Sequence, residues 1–240
     1  MISAKLAYRI SLGGALVVLL LTLYSLFQPP LVACGDLAKG YAPVIAQELA
    51  RSVGDLQAIF GAAPSVCRAT LAAKLDFITW ADCLIFIPAY GVFLLFYFFA
   101  MAPRDDRSAL IGFILAGIAV VADYLENVCL FQLTAVPDVA GFALAVLPWA
   151  TGIKWLALGF AGAVGGTILI QSGRLNYPAA AACALGFLGT ILGIANPHLF
   201  GAYISNAVTL SWLVFLIVDI RNAFFGDGSA MAQLEVEDGA

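Results

Sequence analysis

Asp123, Glu126 and Asn127 lie inside an apolar run, Leu110 to Thr134, that is long enough to cross a bilayer. On a helix these three positions fall within about 100° of arc, so their side chains leave one face together, and that face cannot look at lipid. Two carboxyls and an amide held in an apolar setting can bind a proton or a cation, or can clamp neighbouring helices. Ala116 and Gly112 continue the same stripe with small side chains, which predicts a close neighbour and a central place for this helix.

Other polar groups stand at matching depth. A rise of about 1.5 Å per residue puts Asp76 at the mouth of the preceding apolar run and Asp82 roughly 9 Å deeper, with Thr79 between them on the same side. Glu126 and Asn127 fall about 10 to 12 Å below the same surface, and Asp123 and Lys154 fall near the midplane. Asn196, His198, Ser205 and Asn206 sit at the corresponding ends of the last two runs. Asp76, Asp82, Asp123, Glu126, Asn127, Lys154 and Asn206 are therefore the candidate ligand- or proton-binding residues. Four carboxyls against one lysine leave three surplus negative charges if all ionise, a state too costly in a low-dielectric interior. Either some carboxyls keep a proton or a cation is bound, and Lys154 with Asp123 or Glu126 is the expected ion pair.

Other chemistries are poorly served. A catalytic zinc takes His-rich ligand sets and this chain has one histidine, His198. An oxygen-only Mg²⁺ or Ca²⁺ site from Asp82, Asp123 and Glu126 is the remaining metal alternative, but the expectation is no metal and no cofactor. Serine hydrolysis would need a glycine-flanked serine facing a histidine within the membrane, whereas Ser172-Gly173 lies in a loop far from His198.

The elements that must position these groups follow from composition. With 63% hydrophobic and 11% charged residues over 240 positions and a mean hydropathy of +1.00, the class is an all-α, polytopic membrane helix bundle. Apolar runs at 10–28, 77–101, 109–134, 141–170, 179–196 and 200–220 predict six transmembrane helices. The first reads as a signal anchor rather than a cleaved signal peptide, since no clean small-x-small site follows it. Lys5, Arg9, Arg104, Arg107, Arg174 and Arg221 all fall on one side, which predicts cytoplasmic termini in a bacterial inner membrane. Lys39, Arg51, Arg68 and Lys74 lie in the long opposite segment, a mild conflict outweighed by the evenness of the short loops.

That long segment holds Ile45, Leu49, Val53, Leu56 and Phe60 at helical spacing, with Gln47, Glu48, Arg51 and Asp55 on the other side. It predicts one amphipathic helix capping the bundle on the periplasmic face. Domain organisation is then a transmembrane unit, 1–224, that includes this cap segment at 29–75, followed by an acidic, disordered cytoplasmic tail at 225–240. Cys34 and Cys67 bracket the cap and are the only cysteines in that segment, so a disulfide is expected in an oxidising compartment. The competing reading takes Leu31-Val32-Ala33-Cys34 as a lipoprotein box with Cys34 acylated. Pro88 and Pro148 should bend their helices. Gly162-x-x-x-Gly166 and Gly189-x-x-x-Gly193 should mark tight helix contacts.

The leading expectation for function is proton- or cation-coupled transport of a small substrate. Two alternatives stand beside it, an intramembrane enzyme acting on a lipid or isoprenoid from the outer leaflet, and an accessory or assembly subunit of a membrane complex. Whether the chain is an enzyme stays open at this point. Membrane lipids are expected partners and nucleic acid is not. The small size, without an inverted repeat, suggests a homo-oligomer or a larger complex.

Overall fold

The computed structural model of the chain describes residues 2–137 and 141–225, and the expected acidic tail lies outside them apart from Phe225. All regular elements among the described residues are helical, and six helices are long and apolar enough to cross a membrane. They are span 1 (Ala4–Leu26), span 2 (Val66–Met101), span 3 (Asp106–Ala135), span 4 (Phe142–Gln171), span 5 (Tyr177–Ala195) and span 6 (Pro197–Phe225). Together they make a multi-pass membrane bundle in which each span packs on the next and span 6 returns to span 1.

Local chemistry explains where these helices begin and bend. Ser3, Ser65 and Asp105 cap spans 1, 2 and 3 by accepting backbone N–H bonds from Leu6, Arg68 and Ser108. Bonds from the N–H and hydroxyl of Ser108 hold the Asp105 carboxyl below the usual carboxylate range. Span 2 is interrupted by a π turn, Asp82–Phe86, where Ile87 N–H reaches back to Asp82 O, and Pro88 follows without an N–H to give. In an ideal helix Asp82 and Tyr90 would be about 80° apart. The extra residue of the π turn brings them close to one line, and both face span 3.

The core of the bundle is aromatic. Tyr97 stacks on Phe215 with centroids 4.2 Å apart, and Tyr90 and Phe93 pack on Trp212 at 5.5 and 6.0 Å. Span 3 is not the central helix that its small-residue stripe suggests. The stripe does receive a neighbour, since Phe98 lies against Gly112, but Leu110, Ile114, Val121, Leu125 and Val128 face outward. Span 4 is the most enclosed, because its glycines admit spans 5 and 6: Gly162 sits against Ser211 and Gly166 against Cys183.

The connector between spans 1 and 2 also differs from expectation. One amphipathic helix is replaced by two short ones, Pro43–Glu48 and Val53–Phe60. The break falls where Ser52 and Asp55 form a capping box, Ser52 Oγ accepting from Asp55 N–H at 3.2 Å and Asp55 Oδ2 accepting from Ser52 N–H at 2.9 Å. The second helix ends on Arg68, whose guanidinium donates to the carbonyls of Phe60 and Gly61. Cys34 and Cys67 stand at disulfide distance, their Cα atoms 5.9 Å apart.

Two measurements test these contacts. A Cβ at Gly14 would come within 2.5 Å of Ala89 O and 2.7 Å of Phe93 N, both backbone, whereas nothing lies within 4 Å of one at Gly13. Thermal unfolding in detergent should therefore show Gly14→Ala less stable by about 1–3 kcal/mol and Gly13→Ala nearly neutral. Intact-mass analysis should show a gain of about two hydrogens on reduction and no lipid adduct on Cys34, and Cys67→Ser should lower stability by about 3 to 4 kcal/mol, as a chain-entropy argument gives for a loop of this length.

Candidate functional site

Three backbone elements converge on Lys154. Span 3 presents Asp123 and Glu126 one helical turn apart, span 4 presents Lys154, and the first connector helix ends with Glu48. The ammonium donates to Glu126 Oε1 at 2.5 Å and Glu48 Oε2 at 2.9 Å, and Asp123 Oδ1 lies 3.4 Å away. Two of its hydrogens are thus donated to carboxylates, the third carboxylate pairs with its charge, and the Trp155 ring lies 4.7 Å off as a further weak partner. Lys154, Asp123 and Glu126 are all buried, the last only 1% exposed.

A second layer of bonds orients these groups. Tyr90 donates to the other oxygen of Asp123 at 2.9 Å, which fixes that carboxylate between span 2 and Lys154. Asn127 donates to Asp82 Oδ2 at 2.6 Å and approaches Cys83 Sγ at 3.2 Å, so the π turn delivers a fourth carboxyl beside the cluster. Thr151 donates to the backbone carbonyl of Glu48 at 2.9 Å and seats the end of the connector helix on span 4. Gln47 donates to Thr134 at 2.9 Å and ties the same helix to the end of span 3.

Most of the residues singled out in the sequence are therefore brought together. Asp123, Glu126 and Lys154 touch, and Asp82 and Asn127 adjoin them. Asp76 stands apart with Thr134, one of its oxygens buried without a partner. Asn206 does not join: it is exposed on span 6, which packs chiefly against span 5 rather than span 3, so its depth matches but its direction does not. Glu48, Tyr90 and Thr151 are site residues that the sequence alone does not single out. Helical spacing puts Glu48 on the side that should face solvent, yet it and Gln47 are buried, because the break after Glu48 lets the first short helix turn its polar side into the bundle.

The charge balance is unequal. Lys154 supplies one positive charge against Glu48, Asp123 and Glu126 in contact and Asp82 one amide away, and Glu126 Oε2 is buried with no hydrogen-bond partner. Among the described residues no group of three or more His, Cys, Asp or Glu side chains is arranged to hold a metal ion.

The connector closes the site. Arg51 donates to the carbonyl of Ile194 across it, and the gap beside Glu48, Pro148 and Thr151 is only about 10 Å³, roughly room for one water. On the connector's other side a pocket of about 180 Å³ is lined by Tyr41, Leu49, Asp55, Pro197 and His198 among others, with His198 Nε2 3.7 Å from Asp55 Oδ1. Burial there, with Glu48 and Asp55 nearby, pushes the Tyr41 hydroxyl up to about 12. Compared with protein-family models, curated proteins and solved structures, the chain matches none.

If the ammonium is the organising charge, Lys154→Met should destabilise the protein by about 3–5 kcal/mol, because the carboxylates lose their counter-ion while still buried. Adding Glu126→Gln to Lys154→Met should recover part of that loss. A double-mutant cycle read by thermal unfolding would show coupling well above about 0.5 kcal/mol, and additive effects would mean that the two groups do not depend on each other.

Proposed function

We propose that this chain is a bacterial inner-membrane protein that couples proton binding at Glu126 to movement of a small substrate. The observation that carries the reading is the state of Glu126: one oxygen on Lys154, the other buried and unpartnered, in a cluster with more acid than base. A clamp needs one carboxylate for one lysine. Three in contact, with a fourth adjoining, give the site surplus acceptors that protons can occupy. A proton is a better occupant than a second cation, because the ammonium already fills the centre of the carboxylates and repels another positive ion.

Coupling follows from the connector. Glu48 belongs to the connector and holds it onto Lys154. When Glu126 takes a proton, its share of Lys154 falls and the Glu48 and Asp123 bonds take up the ammonium, so the charge state of span 3 sets how tightly the connector is seated. Both termini are cytoplasmic in this reading and the connector lies on the periplasmic side. The basic residues at the far end and the Cys34–Cys67 pair in the connector support that orientation. Lipids would cover the outward apolar faces, and a homo-oligomer or a larger membrane complex would supply protein partners.

One observation favours a second reading, an assembly subunit in which the cluster only ties helices together: the gap beside Glu48 is about the size of one water. Vesicles carrying the protein and an internal pH dye, challenged with small charged and neutral solutes, separate the two. Solute-dependent proton movement should occur with the wild type and fall to the level of empty vesicles with Glu126→Gln, while folding yield is kept. Gln preserves shape and hydrogen bonding but exchanges no proton. Undiminished movement in Glu126→Gln would sink the transport reading, and a parallel loss of yield and movement would favour the clamp.

A further inference from the structure

A second buried carboxyl lies at the opposite end of the bundle. Asp219 of span 6 is 0% exposed, and the hydroxyl of Ser11 from span 1 sits 2.5 Å from its Oδ2 and 2.8 Å from the carbonyl of Phe93 in span 2. That hydroxyl has one hydrogen and two acceptors. Both contacts are satisfied when Ser11 donates to Phe93 O and a proton on Asp219 Oδ2 is donated to Ser11 Oγ. Nearby, Asp219 Oδ1 and the Tyr97 hydroxyl are each buried without a partner, so the layer holds polar atoms that helix packing alone leaves unused.

Among the described residues, no basic side chain forms an ion pair with Asp219. Tyr8 of span 1, Tyr97 of span 2 and Cys183 of span 5 line the layer; at this end of the bundle Arg221 lies two positions along span 6, Arg9 donates to the carbonyl of Ala223, and Arg104 reaches Tyr8. Its guanidinium donates to Tyr8 Oη at 2.7 Å and Asn222 Oδ1 at 3.0 Å. Those bonds carry polar groups from Tyr8 toward the end of the bundle.

We propose that Asp219 is a second proton-binding site, which takes a proton onto Oδ2 from the cytoplasmic side and returns it there. The aromatic layer of Tyr90, Phe93, Trp212, Phe215 and Tyr97 separates it from the Lys154 cluster. The use of this site rests on the transport reading, but its existence does not.

Infrared difference spectroscopy of the full chain in lipid vesicles, across a pH step spanning neutrality, tests it in the carbonyl region of protonated carboxyls. One band should be lost in Asp219→Asn and kept in Glu126→Gln. Ser11→Ala should shift the same band, because the bond that the carboxyl donates is gone, and this holds even if Asp219→Asn folds poorly. A spectrum in which Asp219→Asn loses no band, in which Ser11→Ala moves none, or in which the band ignores pH overturns the proposal. Loss of a different band in Glu126→Gln bears on the transport reading alone, so either can fail without the other.

Discussion

An ammonium in an apolar interior must have every hydrogen met by an acceptor, and Lys154 imposes that demand on the whole upper half of the bundle. Its desolvation costs several kcal/mol before any contact is made. Glu126 and Asp123 meet it from span 3, which fixes the rotation of span 3 against span 4. Glu48 meets it from the connector, which fixes where the connector can sit. Tyr90 then fixes Asp123 from span 2, and the π turn is the device that allows Asp82 and Tyr90 of that span to face span 3 at once. Moving any one of these elements strands a charge, so the cluster holds the elements in register although each bond is local.

The polar content is organised in two layers with an aromatic one between them. Toward the connector the acids outnumber the base, and toward the other end Asp219 is bonded to Ser11 while Arg104 is engaged by Tyr8 and Asn222. The middle layer is bulky, with Tyr90, Phe93, Tyr97 and Phe215 each 1% exposed or less. Dry packing of that kind raises the electrostatic stakes on both sides, since there is little water to screen either group.

The spans are legible because an apolar run of about 20 residues matches the thickness of a bilayer and little else. The Asp123–Glu126–Asn127 face is legible too, because helical spacing alone sets which side chains leave together. What sequence does not carry is direction between helices. Asn206 and Lys154 both have plausible depths, but only the packing of span 6 on span 5 shows that Asn206 turns away. The connector fails for a different reason. The apolar spacing from Ile45 to Phe60 continues through the break, so periodicity reads one helix, while the signal for two is the Ser52-x-x-Asp55 pattern. Asp219 does not stand out because Arg221 lies close by and makes the position look like the end of a span.

The bond between Glu48 and Lys154 joins residues 106 positions apart, with spans 2 and 3 between them. During synthesis the connector is therefore complete long before the lysine that anchors it has entered the membrane. Until span 4 inserts, Glu48 has no counter-ion and belongs in water, so the connector must wait beside the growing bundle. Its final seating is a late, long-range step of assembly. A chain cut short before span 4 would therefore lack the lysine that anchors its connector.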